Sequence, residues 1–109
     1  MILLTPERTL NILFKTKRLE RCYLSFDQGS RVFGPKVARK YVQRINLIKA
    51  ASSLTDLGQF PQLRLHALKG PLKGSWAIDL HDRYRLIFSL EGKNLESVLI
   101  EEVSNHYGD

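Results

Sequence analysis

The stretch RLHALKGPLKGSWAIDLHDRYRLIF, residues 64–88, decides the fold predicted for this chain. Apolar and polar residues alternate along it, as they do in β-strands that bury one face, and turn-forming residues interrupt the alternation at 70–74 and 81–82. The pattern predicts neighbouring strands over residues 62–69, 75–80 and 84–89. Because the connections are short, we expect these strands to pair antiparallel.

Histidine and basic side chains are concentrated in these predicted strands and their turns. Arg64 and His66 are two residues apart, so a strand here presents them on the same face. The glycine- and proline-containing turn that follows carries Lys69 and Lys73. The sheet is therefore expected to be a charged surface as well as a buried one.

Arg85 has an unusual position in the third predicted strand. It lies between Tyr84 and Leu86, and the apolar residues Ile87 and Phe88 follow. A guanidinium among apolar neighbours is costly unless it is paired, so Arg85 needs either a partner within the fold or a substrate charge. Arg83, two residues earlier, is a second candidate for anion binding.

Upstream of this stretch, the sequence predicts one strand and two helices. Residues 10–15, LNILFK, form a short apolar run typical of a buried strand. A helical spacing of apolar residues begins at Thr16, and Gln28-Gly29-Ser30 predicts its end. Pro35 opens the second and longest helix, whose apolar residues recur with helical period as far as Ala51.

The order of elements predicts an α+β fold. Residues 52–59 form a connection or one short extra turn, and residues 95–103 form a last strand after a turn at 91–94. With no internal repeat or linker, we expect a single domain over residues 1–109. In it, two N-terminal helices pack on a mainly antiparallel sheet of about five strands.

The charge of the chain is large and unevenly distributed. Its 109 residues carry a net charge of +6 with a pI near 9.7, while 43% hydrophobic and 26% charged residues are typical of a globular protein. Between Asp27 and Asp79 nine lysines and arginines face one acid, Asp56, whereas acids dominate after Leu90. This asymmetry favours an oriented polyanionic partner, nucleic acid before an anionic membrane or an acidic protein.

The second helix contributes a basic stripe. Lys36, Lys40 and Arg44 follow one another at i, i+4 and i+8, with Arg39 and Lys49 beside them and no acid in the helix. Like charges stacked in this way repel by a few tenths of a kcal/mol per pair. The stripe therefore indicates either phosphate contact or a merely solvated face, and both interpretations remain open.

Location and redox state follow from two simpler features. Cys22 is the single cysteine, which excludes an intrachain disulfide, suits a reducing compartment and predicts a small buried side chain. The apolar start of the chain is interrupted by Pro6-Glu7-Arg8, and no window approaches the ~18 apolar residues of a membrane span. We expect a cytoplasmic protein with no membrane partner.

The residue types limit the chemistry. His66, His81 and His106 are too widely separated for a metal-ligand spacing, and the turn at 69–74 leads into a strand rather than a phosphate-binding helix, so neither metal nor cofactor is expected.

Histidine among arginine and lysine remains, which is the set of side chains that cleaves RNA without metal. One group takes the 2′-hydroxyl proton, another protonates the leaving 5′-oxygen, and cations stabilise the phosphorane. A lone histidine on a strand is nevertheless more often structural, and His81 is expected at the surface.

The segments LRLHALKGPLKGSWAIDL and RYRLIF, after FKTKRLER and a basic helix, resemble the HigB-type toxins of the RelE/ParE superfamily, which are plasmid-maintenance killer proteins. The resemblance covers about residues 10–107. It implies a RelE-like sheet with N-terminal helices, and a metal-independent mRNA endonuclease that acts on the ribosome. It also implies a cognate HigA-like helix-turn-helix antitoxin, through which alone operator DNA is contacted.

The resemblance further assigns roles to individual residues. His66 and His106 would share the proton transfers, while Arg85 and Lys69 hold the phosphate. Further RNA contacts are then expected from the other basic side chains and one C-terminal aromatic residue: Arg64, Lys73, Arg83, Lys36, Lys40, Arg44 and Tyr107. The family commonly ends in Asp-Tyr-His, whereas this chain has Ser104-Asn105-His106-Tyr107, without the carboxylate and with the tyrosine after the histidine.

Two alternatives remain at this stage. A gyrase-inhibiting ParE-like toxin shares the fold but has no use for a histidine pair. A catalytically degenerate toxin would only bind its antitoxin or operator DNA, an alternative motivated by the altered C-terminal segment.

Overall fold

The computed structural model describes residues 10–105, so His106 and Tyr107 lie outside the described residues. Its strands form one five-stranded sheet in the order β1-β5-β4-β3-β2. β1 pairs parallel with β5, and every other neighbouring pair is antiparallel. The strands are β1 (Asn11–Phe14), β2 (His66–Ala67), β3 (Ser75–Asp79), β4 (Arg85–Glu91) and β5 (Ser97–Ser104). The predicted α+β class and mainly antiparallel sheet are confirmed.

The helices precede β2 in the chain. They are α1 (Lys17–Leu24), α2 (Phe26–Phe33), α3 (Pro35–Ala50) and the short α4 (Leu54–Gly58). α3 has Pro35 in its first turn, as predicted, and buries Tyr41, Ile45 and Ile48 completely. α4 is the extra turn that the sequence left open.

The predicted end of the first helix at Gln28-Gly29-Ser30 is wrong. The break falls at Ser25, whose backbone is extended and whose Oγ accepts a hydrogen bond from the amide of Gln28, and α2 then continues to Phe33. Gly29 lies inside α2, at a place where a larger residue does not fit. A Cβ there would stand 2.9 Å from the carbonyl oxygen of Cys22 and 3.3 Å from the Cβ of Ala38. This glycine permits close helix packing rather than ending a helix.

The strand predicted over residues 62–69 is too long. Residues Pro61–Leu63 form a 3-10 turn, Arg64 adopts a left-handed backbone with φ of 50°, and only two residues pair with β3. Proline fixes φ and removes an amide donor, which favours the turn over a ladder. Arg64 and His66 nevertheless remain adjacent to each other.

The sheet has two different faces. One face packs on the helices through a large core that includes Ile78, Leu86, Phe88 and Ile100. On the other, called the open face below, Leu68, Ala77 and Ile87 form a small separate cluster. No helix among residues 10–105 is long and apolar enough to cross a membrane.

Candidate active site

The β3–β4 hairpin places a carboxylate next to Arg85. The turn closes with a hydrogen bond from the Tyr84 amide to the His81 carbonyl, and its register pairs Asp79 with Arg85 and Ala77 with Ile87. Directly paired residues project on the same side of an antiparallel sheet. Asp79 and Arg85 therefore both lie on the open face, at the end of the hairpin.

Asp79 interacts with two of the arginines that the sequence had singled out. Its Oδ1 is 3.8 Å from Nε of Arg85, and its Oδ2 is 3.5 Å from Nε of Arg64. The exposed fractions of the side chains are 28% for Asp79, 19% for Arg85 and 73% for Arg64. Ion pairs between partly exposed groups contribute only about 0–1 kcal/mol, so these contacts matter more for orientation than for stability. Arg85 thus has the partner within the fold that its sequence environment required.

A third arginine reaches Asp79 from helix α3. Arg44 donates a hydrogen bond of 3.1 Å from Nε to the main-chain carbonyl of Asp79. Burial lowers the pKa of the Arg44 guanidinium, and the charge of Asp79 partly opposes that effect. The predicted solvent-exposed stripe is therefore wrong for Arg44, which is only 8% exposed, whereas Lys36 is exposed and Lys40 half-buried.

His66 is oriented by the unusual backbone of Arg64. Its Nδ1 lies 2.8 Å from the Arg64 carbonyl oxygen. A carbonyl can only accept, so Nδ1 carries the proton, and in the neutral ring Nε2 holds the lone pair. The left-handed φ of Arg64 turns its carbonyl toward the ring, a conformation that costs a non-glycine residue about 1 kcal/mol or more. This arrangement provides a potential proton acceptor on the open face.

The same strand register relates His66 to the arginines. His66 pairs with Ala77, which is two residues from Asp79 on the same face of β3. By ordinary strand spacing, β2 and β4 are ~10 Å apart, within reach of a histidine and an arginine that approach one bound phosphodiester from two sides. The four residues Asp79, Arg64, Arg85 and His66 are called the Asp79 cluster below, and Arg44 supports the cluster from the helix side of the sheet.

The remaining predicted site residues have different positions. Lys69 and Lys73 are exposed at the two ends of the 3-10 turn Gly70–Leu72, and Arg83 is exposed in the β3–β4 turn. Lys36 and Lys40 belong to α3, which packs on the opposite side of the sheet from His66. His106 and Tyr107 lie outside the described residues, so their roles stay predictions.

Asp79 is the residue that the sequence interpretation missed. From the sequence, Asp79 was considered only as the end of the segment in which lysines and arginines predominate. The alternation in residues 75–80 and 84–89 favours the register that pairs Leu80 with Tyr84 and Asp79 with Arg85 across a three-residue turn at 81–83, whereas the predicted two-residue turn at 81–82 would pair Asp79 with Tyr84. The signal was available in the hairpin, and it required pairing the two strands residue by residue.

Other groups capable of chemistry are separate from the cluster. Cys22 is buried as predicted, and burial raises the pKa of its thiol despite the nearby Arg18, which disfavours a nucleophilic thiolate. Among residues 10–105 there is no group of three or more His, Cys, Asp or Glu side chains that could hold a metal ion. A groove of about 490 Å³ between α1, α2 and the end of β5 is lined by residues such as Leu19, Val32 and Tyr84.

Solved structures identify the fold as that of the YoeB and ParE toxins. The YoeB/ParE toxin from Agrobacterium tumefaciens matches with a TM-score of 0.54 and 13% identity, over 90% of this chain and 100% of that chain. The YoeB dimer from Staphylococcus aureus matches with a TM-score of 0.53 and 21% identity over 91% and 99%. The YoeB-YefM complex from the same organism matches with a TM-score of 0.52 and 20% identity, over 90% of this chain and 98% of that chain.

A family model assigns the chain more closely. Residues 12–103 match the HigB-like toxin family, described as the RelE-like toxin of type II toxin-antitoxin system HigB. The match covers most of the chain, so this protein belongs to the HigB-like family of RelE-like toxins. No curated protein sequence matches the chain.

Proposed function

We propose that this toxin is an endoribonuclease that cleaves mRNA on the ribosome by metal-independent acid–base catalysis. The observation that carries the proposal is the Asp79 cluster, in which His66, oriented by the Arg64 carbonyl, shares the open face with the guanidinium groups of Arg64 and Arg85. An open surface suits a polymeric substrate better than an enclosed pocket does.

In the proposed step, Nε2 of His66 accepts the proton of the 2′-hydroxyl. The 2′-oxygen forms a bond to phosphorus, and the bond from phosphorus to the 5′-oxygen breaks, which leaves a 2′,3′-cyclic phosphate and a 5′-hydroxyl. His106 is proposed as the acid that protonates the 5′-oxygen. Histidine suits both roles because its unperturbed pKa is about 6.5.

Arg85 and Arg64 are proposed to bind the scissile phosphate. Negative charge accumulates on the phosphorane oxygens in the transition state, and fixed guanidinium donors stabilise it most when they need no reorganisation. Lys69, Lys73 and Arg83 extend the cationic surface along the RNA, and Tyr107 is proposed to stack on a base. Lys36 and Lys40, on the opposite side of the molecule, are proposed to contact ribosomal RNA.

The partner expected from membership in a type II system is an antitoxin. We propose a HigA-like helix-turn-helix protein, with operator DNA contacted only through it. A cytoplasmic location is proposed with them, because mRNA and ribosomes meet there.

Growth and transcript ends test the proposal together. Induced expression is expected to arrest a bacterial host and to produce new transcript 5′ ends within reading frames. His66→Ala and Arg85→Gln are expected to lose both effects, with cooperative thermal unfolding as the check on folding. His81→Ala is the matched control, because His81 lies exposed in the β3–β4 turn.

Two outcomes would indicate one of the alternatives instead. Arrest that persists in His66→Ala without new transcript ends, together with DNA breaks, would indicate a gyrase-inhibiting toxin. Expression with neither arrest nor altered ends would indicate a toxin that only binds its antitoxin or DNA. Either outcome overturns the nuclease proposal.

A further inference from the structure

We propose that Asp79 is a positioning residue, which holds the Arg64 and Arg85 guanidinium groups ready for the scissile phosphate. The inference rests on the proposed function for its substrate. Its structural basis is independent, since one carboxylate lies between Nε atoms of two arginines from different segments of the chain.

The atoms in contact distinguish positioning from competition. Asp79 faces Nε of each arginine, at 3.5 and 3.8 Å, which is the nitrogen nearest the aliphatic stem. A carboxylate that occupied the phosphate subsite would be expected to take two guanidinium nitrogens, either the terminal pair or Nε with one terminal nitrogen, in a bidentate contact nearer 2.8 Å. At 3.5 and 3.8 Å the contact is an ion pair rather than a close hydrogen bond, so the charge of Asp79 attracts the Nε side of each guanidinium and favours one orientation of it.

The carboxylate is itself held in place. Its residue ends β3 in register with Arg85, and its main-chain carbonyl accepts the hydrogen bond from the buried Arg44. Helix α3 and the sheet therefore fix the backbone from which the carboxylate projects. A rigid support is what an oriented cation pair requires for catalysis.

Charge and orientation predict opposite effects on binding and turnover. Two arginines and one carboxylate leave a positive surface, so Asp79 weakens the attraction for a phosphate while it orients the donors. Removing only the negative charge, in Asp79→Asn, is therefore expected to leave RNA affinity unchanged or tighter. Turnover is expected to fall, because donor orientation matters most in the transition state.

Kinetics provide the first test. Single-turnover cleavage of ribosome-bound mRNA by Asp79→Asn is expected to be at least tenfold slower than by the wild type, with affinity for a 2′-O-methyl oligoribonucleotide equal or higher. Asp82→Asn is the matched control, because it makes the same charge change in the adjacent turn and asparagine tolerates its φ of 58°. Asp79→Glu retains the charge and is expected to recover part of the rate. Turnover by Asp79→Asn at or above the wild-type rate would overturn the proposal.

An NMR experiment tests the positioning role without a measurement of cleavage. In a ¹H–¹⁵N spectrum of arginine side chains, the Nε–H signals of Arg64 and Arg85 are expected to shift and exchange faster in Asp79→Asn. The Arg31 signal is the internal control, because its guanidinium pairs with Asp27 in α2 rather than with Asp79. Unchanged Arg64 and Arg85 signals would refute the positioning role even for an active enzyme. A wild type that cleaves no RNA would instead refute the nuclease proposal and leave this experiment to decide about Asp79.

Discussion

A single buried hydroxyl joins helix α3 to helix α1. Tyr41 is fully buried, and its Oη donates a hydrogen bond of 2.7 Å to the main-chain carbonyl of Leu19. Burial raises the pKa of Tyr41, and the neighbouring Cys22 adds to the effect. The phenol is thus held in its neutral form, as both donor and packing group.

Tyr41→Phe is expected to reduce the free energy of unfolding by about 1–2 kcal/mol, because the Leu19 carbonyl loses a donor while the ring remains. Denaturant unfolding at neutral pH measures this loss. Tyr23→Phe is the control, since the Tyr23 hydroxyl bonds Asn46 at the surface and its removal is expected to cost less.

The stability of Tyr41→Phe is also expected to depend on pH differently from that of the wild type. Above the ordinary tyrosine pKa of 10.0 the unfolded chain releases this proton while the folded protein retains it. The unfolded state then binds fewer protons, so stability falls as the pH rises through and beyond 10. Tyr41→Phe lacks this contribution, and its stability should decline less steeply than that of the wild type over the same range. An equally steep decline would contradict the assignment.

At the scale of elements, Gly29 shows how a tertiary contact overrides a local preference. Alanine is favoured over glycine inside a helix by about 1 kcal/mol. A Cβ at Gly29, however, would meet the Cys22 carbonyl oxygen at 2.9 Å, and a backbone atom of a packed helix moves only at a cost. The α1–α2 contact therefore depends on this glycine.

Gly29→Ala is expected to lower the free energy of unfolding by about 1–3 kcal/mol, because overpacking outweighs the gain in helix propensity. Gly58→Ala is a matched control at the end of α4, where the nearest atom to a Cβ is 3.9 Å away. It should be neutral or slightly stabilising. A Gly29→Ala protein at least as stable as the wild type would refute the packing explanation.

The sequence predicts an element well when residues close together in the chain determine it, and poorly when a cap or tertiary packing determines it. α3 and the β3–β4 hairpin are long periodic patterns, and both were predicted closely. The division between α1 and α2 depends on a cap at Ser25 and on helix packing, so a glycine was mistaken for a helix end. β2 is short because the chain turns at Pro61 and Arg64, a conformation that alternation alone does not reveal.

The candidate site was predictable in part. His66 and Arg85 were identified from residue type and context, whereas Asp79 required the strand register. Arg44 was assigned to solvent because it follows Lys40 at i+4, yet it also follows Tyr41 at i+3 and precedes Ile48 by four, the spacing of the buried stripe. Its long stem lets an arginine on that stripe carry its charge to a polar atom at the sheet.

At the scale of the whole molecule, cationic groups lie on two sides. The Asp79 cluster is on the open face, and Lys36 and Lys40 project from α3 on the other side of the sheet. One flat strand of RNA cannot contact both. A partner that surrounds the protein, such as the proposed ribosomal site, can contact both.

The two lysines can be tested through salt dependence. Lys36→Gln with Lys40→Gln is expected to weaken ribosome association and to reduce the slope of log affinity against log salt by roughly 1–2, since each lost phosphate contact removes about 0.7–0.9. Lys93→Gln, in the exposed turn between β4 and β5, is the single-charge control and should leave the slope unchanged. An unaltered slope in the double variant would leave the lysines as solvated charges only.

The activity proposed for the open face is cleavage of RNA through attack of the 2′-hydroxyl. Purified toxin and ribosomes programmed with a defined mRNA test it most directly, with the cleaved ends identified by mass spectrometry in the presence of a chelator. We expect a 2′,3′-cyclic phosphate and a 5′-hydroxyl, and no cleavage when the nucleotide that provides the 2′-hydroxyl is 2′-O-methylated. Ends with a 3′-hydroxyl and a 5′-phosphate, or cleavage of the methylated mRNA at that nucleotide, would contradict it.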